Sequence, residues 1–193
     1  MIVIILPDIP SEDRLLTRAR QGDQDALREI YESYFDPIFN FVRLRVDELQ
    51  VAEDIAGDVF LKLLEACRNR KAPHHSLRGW LFRVARNTLH DYYGKKEKFT
   101  ETTLSDWLPL TTGDDIELEF IRRLDVENAR WAIKQLSFDQ QEAIILRFAQ
   151  GLSLQETADI MGKQANAIKA LQFRAVRSLR RILEEMRTEY THD

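Results

Sequence analysis

The residues best suited to covalent or metal chemistry are one thiol and two imidazoles, Cys67, His74 and His75. A zinc ion or a thiol nucleophile needs further partners at recurrent spacing, and the chain offers a single cysteine with no typical zinc pattern. No glycine-rich phosphate loop, nucleophile elbow or helical pair of metal-binding histidines occurs either. The expectation is a protein without catalysis, metal or cofactor. The chemistry that remains is recognition. After Gly162, the residues Gln164, Asn166, Lys169, Gln172, Arg174, Arg177, Arg180 and Arg181 alternate with Ala165, Ile168, Leu171, Ala175, Leu179 and Ile182. Amides, ammonium and guanidinium groups on one helix are the groups that read base edges and phosphates in a major groove.

A short element must hold that helix. Ser153 and Glu156 have the spacing of a capping box, Gly151 and Gly162 bound the segment, and Ala158 is small enough for two helices to cross closely. This predicts a helix-turn-helix. An ordinary helical hairpin has the same spacing and stays open at this point.

The other elements follow from apolar periodicity. Leu15, Leu16 and Ala19, then Ala26, Leu27, Ile30, Tyr31, Tyr34 and Phe35, recur at helical spacing on either side of Gly22 and Asp23. Pro37 suggests a restart into a third helix through Ile38, Phe41 and Val42. A long helix over residues 47–67 carries Glu53, Asp54 and Asp58, and residues 68–75 form a loop ending at Ser76 as the N-cap of a helix that starts at Leu77. That helix closes in Tyr92, Tyr93, Gly94, Lys95 and Lys96, bases mixed with aromatics. Seven glycines, five prolines and 31% charged residues suit well-formed helices better than disorder or a β-sandwich. The fold class expected is all-α, two small helical domains over residues 11–98 and 116–187, joined by a flexible acidic linker over 99–115.

Charge is uneven along the chain despite a net −4. Residues 62–98 carry +7 and residues 163–187 carry +5, while residues 100–119 carry −6 and residues 47–58 carry −5. Each cluster alone reads equally as solvated helix surface; two basic and two acidic segments together suggest separate partners. The apolar run over residues 1–6 is far short of the roughly 20 residues that span a bilayer, and nothing resembles a secretory signal, so no membrane insertion and a cytoplasmic location are expected.

Three runs resemble a family in its own order. AEDIAGDVFL at 52–61 is similar to region 2.2, LRGWLFRVARN at 77–87 to regions 2.3 and 2.4, and AIKALQFRA at 167–175 to region 4 of the extracytoplasmic function (ECF) sigma factors of the sigma-70 family. The resemblance covers roughly residues 13–185. It implies docking on core RNA polymerase, its β and β′ subunits, through Glu53, Asp54, Asp58 and Phe60. It implies capture of the promoter −10 element by the loop at 69–76 and by Lys62, Trp80, Arg83, Arg86, Asn87, Tyr92 and Lys95, although Trp80 reads equally as a core residue. The −35 element falls to Gln164, Asn166, Lys169, Gln172, Phe173, Arg174 and Arg177. An anti-sigma partner is implied too, and the acidic linker would enter the path of nascent RNA. The sequence departs from common members at Gln164, often Ser or Thr, and at Phe173, often His. An operator-binding dimer or a protein-interaction adaptor would leave the acidic helix and the Trp80 run without a role.

Overall fold

In a computed structural model, residues 9–96 and 126–189 are described; the linker at 99–115 and the opening apolar run lie outside them. Every regular element among the described residues is helical. They fall into two compact units, α1–α4 and α5–α8.

The first unit comprises α1 (Ile9–Arg20), α2 (Gln24–Arg43), α3 (Leu49–Arg68) and α4 (Leu77–Lys96). Gly22, at φ +88°, breaks the chain as expected, and Asp23 caps α2 by accepting the amides of Asp25 at 2.9 Å and Ala26 at 3.1 Å. Pro37 does not restart the helix. It sits buried inside a continuous α2, where the stripe Ile30, Tyr34, Ile38, Phe41 and Val42 packs inward; core burial outweighs the lost amide. Phe41 meets Phe82 of α4 edge to face at 5.4 Å, and Ile55, Val59 and Leu63 supply the α3 side of the core.

Ser76 departs from its expected role. Its φ of +54° is left-handed, so it lacks the extended backbone of an ordinary N-cap. The second amide of α4, that of Arg78, is satisfied instead by Glu12 of α1 at 2.6 Å, whose other oxygen accepts Arg78 Nε at 2.6 Å. Glu12 is 1% exposed. Tyr34 lies fully buried nearby, and its hydroxyl pKa is pushed up by desolvation first and by the Glu12 charge second.

The second unit comprises α5 (Val126–Lys134), α6 (Phe138–Ile144), a π-helical turn (Ile145–Ala149), α7 (Leu154–Met161) and α8 (Ala165–Glu189). Its core joins Ala143, Ile144, Ile145 and Leu146 to Ala158, Ile160 and Met161, and to Ile168, Leu171, Ala175 and Leu179 of α8. No helix among the described residues is long and apolar enough to cross a membrane.

Candidate nucleic-acid interface

The turn between α7 and α8 is built from local bonds. Ser153 Oγ accepts the Glu156 amide at 3.2 Å, and Glu156 Oε2 accepts the Ser153 amide at 2.8 Å, closing the capping box. Gly162 ends α7 at φ +64°, ψ +34°, a left-handed cap that glycine adopts without steric cost. The Gln164 carbonyl accepts the amides of Ala167 at 2.9 Å and Ile168 at 3.1 Å, starting α8. Lys163 Nζ pairs with Asp139 Oδ2 of α6 at 3.0 Å, so the turn is tied to a third element.

Helical spacing then sorts α8. Asn166, Lys169, Phe173 and Arg177 recur every three or four residues on one face, Asn166 and Arg177 exposed, Lys169 and Phe173 half-buried. Arg174 flanks that face, half-buried, and Gln164 stands exposed at its entrance. Phe173, Val176, Arg177 and Arg180 line an open groove of about 400 Å³ along the same side. Gln172 is a correction. It is 2% exposed and accepts Arg147 Nε at 3.2 Å, turned toward the π-helical turn and away from the outer face. Its spacing, four after Ile168 and three before Ala175, already belongs to the buried stripe.

On α4, Trp80, Arg83 and Asn87 share one face, with Arg83 and Asn87 exposed and Trp80 half-buried. Arg86 and Tyr92 fall to either side of that face, both half-buried, with Tyr92 edge-on to Tyr93 at 5.3 Å. The Lys95 side chain lies outside what is described. Lys62 does not stand free for phosphate: its ammonium donates to Thr88 Oγ1 of α4 at 2.8 Å and pairs with Asp58 at 2.8 Å.

On α3, Glu53 and Asp54 are exposed, Asp58 is half-buried, and Asp54 accepts Gln50 Nε2 at 2.9 Å. Phe60 is the second correction. It is 7% exposed, packed against Tyr31 at 5.0 Å and Phe35 at 6.2 Å, so it cannot lead a docking surface. Sequence reasoning missed Leu61. It is 61% exposed and shares a helix face with Asp54, Asp58 and Glu65, a large apolar side chain among acids. Cys67 is buried, and desolvation raises its thiol pKa against the opposing pull of Arg20. Among the described residues no group of His, Cys, Asp and Glu is arranged to hold a metal ion.

Residues 30–99 match the family description Sigma-70 region 2, and residues 132–181 match Sigma-70, region 4. RNA polymerase sigma factor YlaC of Bacillus subtilis is 30% identical over 86% of this chain and 96% of its own length. ECF RNA polymerase sigma factor BldN of Streptomyces coelicolor is 34% identical over 89% of this chain. The chain belongs to the ECF RNA polymerase sigma factors. It spans 65% of the length of BldN.

Among solved structures, the sigma factor RpoE in complex with the anti-sigma factor NepR, from Bartonella quintana, is 25% identical with a TM-score of 0.62, covering 81% of this chain and 96% of that one. CnrH, solved with the cytosolic domain of CnrY, shares the fold at a TM-score of 0.67 and 21% identity, covering 90% of this chain and 97% of that one. In this sigma factor, region 2 therefore takes in α2, α3 and α4, and region 4 takes in the helix-turn-helix of α7 and α8. Helix α1 lies before the matched segment.

Proposed function

We propose that this sigma factor binds core RNA polymerase through the β and β′ subunits, recognises the −10 and −35 elements of promoter DNA and assists strand opening. RNA synthesis itself belongs to the polymerase, so the chain works in the cytoplasm without catalysing a reaction. The observation that carries the reading is the presence, in one chain, of two distinct DNA-suited faces and an acidic docking helix. The outer face of α8 serves the −35 element: Gln164, Asn166 and Lys169 meet base edges, Phe173 makes apolar contact, and Arg174 and Arg177 meet phosphate. The loop at 69–76 and the face of Trp80, Arg83 and Asn87 serve the −10 element, where an unstacked base is held by aromatic and polar contact. Arg86, Tyr92 and Lys95 flank that contact.

Glu53, Asp54 and Asp58 complement a basic polymerase surface, with Leu61 replacing Phe60 as the apolar contact at its centre. The acidic linker at 99–115 threads toward the exit path of nascent RNA. The complex of RpoE with its anti-sigma factor supports a partner of the same kind for this chain.

Reconstitution tests the reading. Added to sigma-free core polymerase, the chain should give promoter-dependent run-off transcripts from a promoter library. Changing Asp54 and Asp58 together to Lys should weaken core binding by about tenfold or more through like-charge contact, with circular dichroism unchanged. No transcript from any library promoter, combined with tight binding of a palindromic duplex by the chain alone, would replace this reading with an operator-binding regulator.

A further inference from the structure

Helix α1 touches the loop between α3 and α4 at two points. At its N-terminal end, Glu12 takes both the backbone amide and the guanidinium of Arg78, each at 2.6 Å. At its C-terminal end, Arg20 Nη2 donates to His74 Nε2 at 3.1 Å. Leu16, midway between them, is buried, which fixes α1 against the unit it spans. Eight helical steps separate Glu12 from Arg20, about 12 Å. Four chain steps separate His74 from Arg78, at most about 14 Å. The helix is a ruler of the same length as the segment it holds.

The loop needs such a support. Arg70 at φ +56° and Ser76 at φ +54° are non-glycine residues in the left-handed region, a conformation that persists only where surrounding contacts hold it. On the α3 side the Ala66 carbonyl accepts the amides of Lys71 at 2.7 Å and Ala72 at 3.0 Å. On the α4 side, a Cβ at Gly79 would meet Ser76 Oγ at 2.4 Å, so the loop closes directly onto the helix. The far end is capped from outside, by Glu12.

We infer that α1, which precedes the segment matched to region 2, is a splint that fixes the 69–76 loop and the first turn of α4 in the conformation that reads the −10 element, with Glu12 and Arg20 as its positioning residues. The inference rests on the proposed −10 role of that loop.

Full-length variants Arg20→Met, His74→Lys, His74→Gln and Glu12→Gln, alone and in reconstituted holoenzyme, test it by three readouts. These are amide hydrogen exchange over residues 70–79, affinity for core, and discrimination between the −10 sequence that wild-type holoenzyme selects from randomised fork-junction DNA and its single-base variants. Arg20→Met and His74→Lys should each speed loop exchange and lower discrimination by roughly threefold to tenfold, the weight of one hydrogen bond to a charged group, with core affinity within about twofold. His74→Gln, whose amide oxygen still accepts from Arg20, should restore both readouts. Glu12→Gln should act in the same direction and more strongly, while the Arg20 and His74 variants carry the test if Glu12→Gln does not fold. Unchanged loop exchange in both Arg20→Met and His74→Lys overturns the splint. Faster exchange with unchanged discrimination overturns the −10 role of the loop, and with it the functional half of the inference.

Discussion

Regions 2 and 4 present their DNA-suited helices by opposite means. In region 4 the geometry comes from neighbours in sequence: Ser153 with Glu156, Ser137 with Gln140, and glycines at φ +66° and +64°. In region 2 it comes from residues far apart in the chain. Glu12 reaches Arg78, Arg20 reaches His74, Lys62 reaches Thr88, and Tyr93 donates to the Arg45 carbonyl at 2.5 Å. Local caps form as soon as a helix forms and are each worth about 1 kcal/mol. Long-range polar ties require the whole core first, and a buried charged one leaves a far larger defect when cut. Region 4 should therefore degrade gradually under substitution, and region 2 abruptly.

Four experiments break or sharpen that contrast. The largest effect belongs to Glu12→Ala, which strands the mostly buried Arg78 guanidinium and an α4 amide; region 2 should lose about 3 to 5 kcal/mol in denaturant unfolding, followed by amide exchange. If the exchange of region 4 amides rose equally, the contrast would fail. Next, Gly162→Ala forces a Cβ into the left-handed cap and should cost about 1 to 2 kcal/mol. That loss should appear only in the exchange of region 4 amides, with −35-dependent transcription reduced. Third, Lys62→Met removes a half-exposed ion pair and one hydrogen bond, and should lower stability by no more than about 1 kcal/mol in thermal unfolding. A loss as large as that of Glu12→Ala would show that distance in sequence, not burial, sets the cost.

The smallest effect tests a local device inside region 2. The Asp23 carboxyl pKa is held below its ordinary value first by the hydrogen bond from Arg18, at 2.8 Å, and then by the α2 amides. Its stabilisation is therefore present above the unfolded carboxyl value of about 4 and is lost as pH falls through the lower folded value. Asp23→Asn should flatten the acid limb of the stability curve and leave the neutral range nearly unchanged.

The same division decides what the sequence reveals. The capping box, the turn glycines and the order of α7 and α8 are visible because each is written within a few residues. Glu12 escaped notice although it stands three, four and seven residues before Leu15, Leu16 and Ala19, on the apolar stripe where a carboxylate demands a partner. The partner itself, 66 positions away, has no local mark. Pro37 and Ser76 suggested boundaries by local preference, and tertiary packing overrode both. For the site, acidic α3 and the faces of α4 and α8 were legible, whereas Gln172 and Phe60 were taken for surface because residue type was weighed above spacing. Leu61 was missed for the same reason, since an exposed leucine looks like core until its helix face is drawn.

The π-helical turn at Ile145–Ala149 bears on how this chain tolerates length changes. Gln150 donates to the Ile145 carbonyl at 3.0 Å, so the turn closes over five residues where an α-helix closes over four. It holds one residue more than a regular helix of the same rise. Deleting a single residue there would let the segment relax into α-helix and swing everything downstream by about 100° around its axis. Arg147, which donates to the Leu152 carbonyl and to Gln172, would lose both acceptors in that swing. Related chains that differ in length by one residue should carry that difference outside this turn.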